Sequence, residues 1–302
     1  MSGKLLTVFT PSYNRANLLS RLYESLCRQS SDNFLWLIVD DGSSDHTKEL
    51  VNTWIVQNRI QIKYIYQENH GMHTAHNTAY QLIDTELNVC IDSDDYMTDD
   101  AVAFIEEFWK VHKSEEYAGF IGLDKYINGG IIGTSFPVEM TNTTLLDLYE
   151  SGGKGDKKLV YRTEVIKKYP EYPVFGQEKY VGLDYKYYLI DMDYKLLVTN
   201  TVLCVVDYQA DGSGKTMLQQ YWNNPNGFIF YRKFKMSLVH SPKRRFIECI
   251  HYVSSFIIAG KYHFFKEVPL KMTTFFAIPF GFLFYFYLKY KVGRKYNKIS
   301  TI

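Results

Sequence analysis

The sequence predicts an α/β fold: a mostly parallel sheet flanked by helices, followed by a helical, aromatic-rich C-terminal appendage. Three observations predict it. Short apolar runs alternate with helical patterns through the first hundred residues. A polar cluster follows each run, at the strand ends where such sheets bind ligands. Beyond Lys215 the chain turns helical and crowded with Phe and Tyr. A chain of 302 residues can bury a core for one large domain plus that appendage.

The apolar runs Leu5 to Phe9 and Phe34 to Val39 read as strands, and between them Leu18, Leu19, Leu22 and Leu26 share one helix face, giving a β-α-β unit. Asp45 to Val56 then reads as a helix, Ile62 to Tyr66 as a strand, Thr74 to Ile83 as a helix and Leu87 to Ile91 as a strand. Thr98, Asp99 and Asp100 lead into a helical pattern from Ala101 to Val111, as capping residues do. From about Gly119 to Asp211 the spacing is irregular, with strand-like pieces at Phe120 to Leu123 and Leu196 to Val206 among Gly-rich and aromatic loops. The expected division is a domain over 1–215, with a ligand-binding half (1–100) and an acceptor half (101–215), and a basic helical region over 216–302.

Net charge is +1, but the segment from Lys243 onward carries eleven Lys or Arg against two Glu, or +9, leaving −8 for the first 242 residues. The two parts face different partners. No nucleic-acid recognition motif accompanies the basic segment, so nucleic acid is not an expected partner. Met1 to Lys4 leads straight into a strand-like run, so no signal peptide is expected at the start. Cys27, Cys90, Cys204 and Cys249 are widely spaced among apolar residues, as reduced core thiols of a cytoplasmic protein are.

The densest chemical signal is Asp92, Ser93, Asp94 and Asp95 directly behind the run ending at Ile91. Crowded carboxylates raise one another's pKa, and a hard divalent cation that also bridges phosphates relieves them. Asp40, Asp41, Gly42, Ser43, Ser44 and Asp45 follow the second strand. Ser44 or Asp45 can cap the next helix, whereas adjacent acids at a strand end can accept hydrogen bonds from a nucleobase or ribose. His70, His73 and His76 recur at intervals of three, which drift around a helix and so suit a nucleotide or diphosphate better than zinc, with His73 and His76 partly cationic beside the anion. Gly212-Ser213-Gly214-Lys215-Thr216 imitates the tail of a phosphate loop but has Gln209 where the earlier glycine belongs; Lys215 can still approach a diphosphate.

Taken together, Thr10-Pro11-Ser12-Tyr13-Asn14-Arg15, Val39-Asp40-Asp41-Gly42-Ser43-Ser44-Asp45, Asn69-x-Gly71-x-x-x-Ala75-His76-Asn77 and Asp92-Ser93-Asp94-Asp95 resemble the family 2 glycosyltransferases with the GT-A fold, over about residues 4–215. The resemblance implies a nucleotide-sugar donor, with Pro11 and Tyr13 around the base, Asp41 on uracil with Asp40 beside it, and Asn69 and His76 at the nucleotide, His76 standing where arginine is usual. It implies that Asp92 and Ser93 face the donor while Asp94, with Asp95 competing, holds Mn²⁺ or Mg²⁺. It also implies an aspartate base at the start of a later helix, best matched by Asp184 in Gly182-Leu183-Asp184-Tyr185, with Glu178, Asp191 and Asp193 as rivals. The expected reaction is a single inverting displacement from a donor, UDP-linked by expectation, to a saccharide or lipid-linked acceptor in cell-surface polysaccharide synthesis. A nucleotidyltransferase and a non-catalytic nucleotide- or saccharide-binding module are the alternatives.

Thr273 to Leu288 is uncharged for sixteen residues, interrupted by Pro279 and Gly281, and followed by Lys289, Lys291, Arg294, Lys295 and Lys298. That pattern predicts a segment lying in the interface of an anionic leaflet at the inner face of the cell membrane, assisted by Phe246, Ile250, Val253 and Ile257 beside Lys243 to Arg245. Packing onto its own domain or a homo-oligomer contact is the competing expectation.

Overall fold

A computed structural model describes residues 3–209, 212 and 216–299. The chain divides into two compact units, Met1–Glu171 with Lys186–Gln209, and Tyr172–Tyr185 with Ala210–Ile302. The segment Tyr172–Tyr185 thus groups with the helical region, although the sequence had suggested an uninterrupted domain to residue 215.

The first unit is built on β1 (Leu6–Ser12), β2 (Phe34–Asp41), β3 (Ile62–Gln67), β4 (Leu87–Cys90), β5 (Tyr96–Met97), β6 (Tyr117–Tyr126), β7 (Asn142–Thr143), β8 (Lys157–Arg162) and β9 (Lys195–Val206), with sheet order β3-β2-β1-β4-β8-β6-β9-β5 and β7 beside β9. β1 to β4 pair in parallel, β8 runs antiparallel to β4 and β6, and β6 and β9 are parallel again. The parallel expectation therefore describes the first half, and the second half is mixed. β1 and β2 are buried at every position, which is why they read as unbroken apolar runs rather than as alternation.

Helices α1 (Ala16–Cys27), α2 (Thr47–Gln57), α3 (Met72–Leu82) and α4 (Ala101–His112) follow β1, β2, β3 and β5. Tyr23 of α1 stacks on Trp54 of α2 with centroids 4.3 Å apart, and Trp36 of β2 lies 5.8 Å from Trp54. The Trp36 indole N–H donates to Thr10 Oγ1 at 3.0 Å, so this aromatic layer fixes β1 just before its polar end. On α3, His76 and Tyr80 meet the Phe9 ring edge-on at 5.0 and 5.3 Å. Short helices α5 (Leu145–Glu150) and α6 (Thr163–Lys168) flank β8, and α7 (Asp184–Ile190) precedes β9.

The second unit holds α8 (Met217–Asn223), α9 (Pro225–Leu238), α10 (Pro242–Ile258) and α11 (Lys271–Ile299). Arg232 of α9 is buried, donates to Glu248 of α10 at 2.7 Å, and lies among the rings of Tyr221, Phe228 and Tyr231. Removing one partner would strand a buried charge. α11 runs unbroken through Pro279, against the interruption expected from sequence. Thr274, Ala277, Gly281, Leu288 and Val292 share its buried face, and a Cβ on Gly281 would stand 2.6 Å from Val253 Cγ1, so this glycine lets α10 and α11 cross closely enough for packing to outweigh the proline.

Candidate active site

The register of β1 to β4 sets Ser12 beside Asp40 and Asp41 beside Gln67, and Ile91 N–H reaches Phe9 O at 3.0 Å. Every polar cluster found in the sequence from Thr10 to Asp95 therefore arrives at one sheet edge. The loops there are tied across strands. Asn14 adopts a left-handed φ of 52° and its Oδ1 accepts from Ser44 N at 2.8 Å, while Asp45 accepts from Ala16 N at 3.1 Å and from the Thr47 hydroxyl at 2.6 Å. Burial pushes the Asp45 carboxyl up, but the bonds from Thr47 and Ala16 bring it below its usual range. Gly42 has a φ of 85°, and a Cβ there would lie 2.7 Å from Asn69 N, so only glycine lets these two loops meet.

The paired acids after β2 carry much of this construction. Asp40 accepts from Ser43 N at 2.7 Å and from the Tyr64 hydroxyl at 2.5 Å; Asp41 accepts from Gln67 Nε2 at 2.7 Å, His70 N at 3.0 Å and Gly71 N at 2.8 Å. With roughly four lone-pair sites per carboxylate, Asp41 keeps room for one more donor. Pro11 is buried within β1, and Tyr13 projects beyond it half exposed.

Among the described residues, burial leaves several polar atoms at this edge without hydrogen-bond partners. Ser12 Oγ, Asn69 Oδ1 and both ring nitrogens of His73 are buried and unbonded. Such groups cost about 1–3 kcal/mol each unless something meets them, which suits a polar ligand along β1 to β3. Burial pulls His73 down to about 4 and His76 to about 3, which opposes the positive charge that their spacing suggests beside an anion. His76 Nδ1 meets the Tyr80 hydroxyl at 3.3 Å.

At the end of β4, Asp95 N donates to Asp92 O at 3.0 Å, closing a turn that leaves Asp92 exposed, Ser93 and Asp95 buried and Asp94 between. Burial raises Asp94, and Asp92 adds to it; burial raises Asp95 to about 7, with Lys158 opposing and Asp92 and Asp94 reinforcing. Asp95 also accepts from Asp207 N at 3.2 Å, and Asp207 receives Arg21 at 2.9 Å, whose other nitrogen reaches Asp94 O at 2.6 Å. Lys158 lies 3.9 Å from Asp124, both buried. Sequence reasoning did not single out Ser12, Arg21, Asp124, Lys158 or Asp207 for these places; the available signals were charged residues inside strand-like runs, and an acid just after Leu196 to Val206. Burial also pushes the Cys90 and Cys204 thiols up, so neither is an activated nucleophile.

Among the described residues no three or more His, Cys, Asp or Glu side chains cluster to enclose an ion. The donor set suits a different arrangement, in which one or two carboxylates and a ligand's phosphates share a hard cation. Burial is the main cause that raises the Asp94 and Asp95 carboxyls, the neighbouring acids add to it, and Arg15 and Lys158 oppose it.

Asp184 is the first residue of α7 and lies in the second unit, where it accepts the Tyr231 hydroxyl. Its rivals hold structural bonds. Glu178 accepts from Asn226 N and Gly227 N at the start of α9, at 3.0 and 2.8 Å; Asp191 accepts from Leu146 N at 2.8 Å; Asp193 accepts from the Tyr169 hydroxyl at 2.7 Å. Lys215 lies outside the described residues.

Residues 7–167 match the family model for glycosyl transferase family 2. The chain belongs to that family. Over 107 residues it is 33% identical to chondroitin synthase of Escherichia coli, a match covering 35% of this chain and 16% of the relative. The chain spans less than a fifth of the length of the curated relatives it first matches. Among solved structures, Staphylococcus aureus TarS 1-349 in complex with UDP-GlcNAc superposes with a TM-score of 0.57 at 18% identity, over 96% of this chain and 92% of that one. A Pyrobaculum calidifontis mannosyltransferase in complex with GDP-Man and Mn²⁺ gives 0.56 at 16% identity, over 93% and 86%. These likenesses establish the GT-A fold of the family 2 chain.

Proposed function

We propose that this family 2 chain is an inverting glycosyltransferase that moves a sugar from UDP to a hydroxyl of a saccharide or lipid-linked acceptor, in surface polysaccharide synthesis at the cytoplasmic face of a membrane. The observation that supports it most is the coincidence, at one sheet edge, of unpartnered buried polar atoms on the β1–β3 side with crowded acids after β4. Pro11, Tyr13, Asp41, Asn69 and His73 would receive the nucleoside, with Asp40 and His76 behind them, and Asp92 and Ser93 would face the ribose and diphosphate. Asp94 and Asp95 would hold Mn²⁺ or Mg²⁺, which when bound neutralises charge on the diphosphate. The acceptor hydroxyl attacks the anomeric carbon as the bond to the nucleoside diphosphate breaks, and Asp184 takes the hydroxyl proton.

A panel of UDP-, GDP- and dTDP-sugars, assayed for nucleotide release with Mn²⁺ or with chelator, tests this. One UDP-sugar is expected to turn over, and chelation to abolish turnover. Release of pyrophosphate would instead identify a nucleotidyltransferase, and equal release in chelator would remove the metal from the reading.

The membrane part rests on α11. Its stretch Lys271–Val292 is 22 residues, or about 33 Å at helical rise, long and apolar enough to cross a bilayer. Phe276 and Leu283 are 60% and 67% exposed, and Phe275, Phe282 and Phe286 also face outward. The basic run that follows suits anionic headgroups at about 1 kcal/mol per residue. The full chain is expected to sediment with phosphatidylglycerol vesicles and to be released by serine at Phe276, Leu283 and Phe286 together. A variant that instead shifts in oligomeric size, with vesicle binding unchanged, would assign the face to a second copy.

A further inference from the structure

β4, with the acids behind it, divides the sheet edge: β1, β2 and β3 lie on one side and β8, β6 and β9 on the other. On that second side β6 ends at Tyr126, paired in register with Val206 of β9, and Tyr208 follows two residues later. The two rings stand 5.9 Å apart, tilted at 55°, and are 39% and 51% exposed.

Exposed rings are ordinary on a protein surface, but here Tyr208 is tethered through its hydroxyl and Tyr126 through its backbone. The Tyr208 hydroxyl donates to Asp156 Oδ2 at 2.5 Å. Asp156 sits in a loop gathered by the Lys157 ammonium, which is buried and reaches Lys154 O at 2.8 Å, Ile132 O at 3.2 Å and Asp156 O at 3.3 Å. Tyr126 is anchored by its backbone, accepting from Gly129 N at 2.8 Å and donating to Gly130 O at 2.7 Å. Asp207, one residue before Tyr208, donates its N–H to Asp95 and receives Arg21, so the platform is continuous with the acid corner.

We infer that Tyr126 and Tyr208 form a stacking platform for a pyranose ring of the acceptor. The inference rests on the glycosyltransferase reading and names a subsite within it. A pyranose presents an apolar face of C–H groups and a rim of hydroxyls; the tyrosines offer ring faces, and Asp156 offers a carboxylate at their margin. Held in advance, such rings lose little side-chain freedom when a sugar arrives. Their place across β4 from the nucleotide side suits the acceptor rather than the base.

The test uses the full chain with UDP and Mg²⁺, and as probes methyl β-D-glucopyranoside, methyl β-D-galactopyranoside and methyl N-acetyl-β-D-glucosaminide. Saturation-transfer NMR should show contact with the ring protons of at least one glycoside. Tyr126→Ala and Tyr208→Ala should each weaken that glycoside about fivefold or more, while UDP affinity by calorimetry stays within about twofold and certifies the fold. Tyr208→Phe, which keeps the ring, should retain most of the signal. Glycoside contact unchanged in both alanine variants, UDP weakened in parallel, or no contact in a wild-type chain that binds UDP would each overturn the platform. Failure to bind UDP, with a tyrosine-dependent glycoside signal intact, would count against the nucleotide reading and leave the platform standing.

Discussion

Replacing Asp184 by Asn is expected to lower the rate of sugar transfer by about 10²–10⁴-fold, the usual worth of a positioned proton acceptor, while donor binding changes little. Asn keeps the shape of the carboxylate and can still accept from the Tyr231 hydroxyl, so the second unit should fold normally. The matched comparison is Glu178→Gln. Glu178 binds the first amides of α9, so its loss should lower the melting temperature more than it lowers kcat. Transfer by Asp184→Asn within tenfold of wild type would dismiss this residue as the base.

The second large effect concerns the acids after β4. Asp94→Asn is expected to reduce turnover by about 10²–10³-fold and to weaken Mn²⁺ binding measured by electron paramagnetic resonance in the presence of UDP. Asp95→Asn should differ in kind. Asp95 is buried and already accepts from Asp207 N, whereas Asp94 is less enclosed and touches this network through its backbone carbonyl. The Asp95 variant should therefore lose thermal stability along with metal affinity, and the Asp94 variant metal affinity alone. Mn²⁺ affinity untouched by Asp94→Asn but lost with Asp95→Asn would reverse the two roles.

The parallel half of the sheet was legible in the sequence because β1, β2 and β4 are buried on both faces and their helices carry clear apolar stripes. The second half was not. β5 and β7 are two residues each, and β8 carries Lys157, Lys158 and Arg162, whose charges are met by loop carbonyls and by acids distant in sequence, so periodicity gives no warning of a strand. The same cause limited the site. Loops that follow a strand announce their acids locally, so Asp40, Asp41 and Asp92 to Asp95 could be picked out. Arg21 and Asp207 meet across 186 positions, and no local pattern reports such a meeting. The burial that lowers His73 and His76 was not legible either, because spacing reveals which face a side chain shares and says nothing of how dry that face is.

The stitching of Asp40 and Asp41 into neighbouring loops bears on how this lineage could change its donor. On the proposed nucleoside role, an acid that also braces neighbouring loops cannot be swapped to welcome another base without loosening those loops. Tyr13, half exposed just past β1, has no such duty among the bonds described. Under the same proposal, a change of nucleobase preference is expected at positions of that kind, with the two aspartates left as fixed masonry.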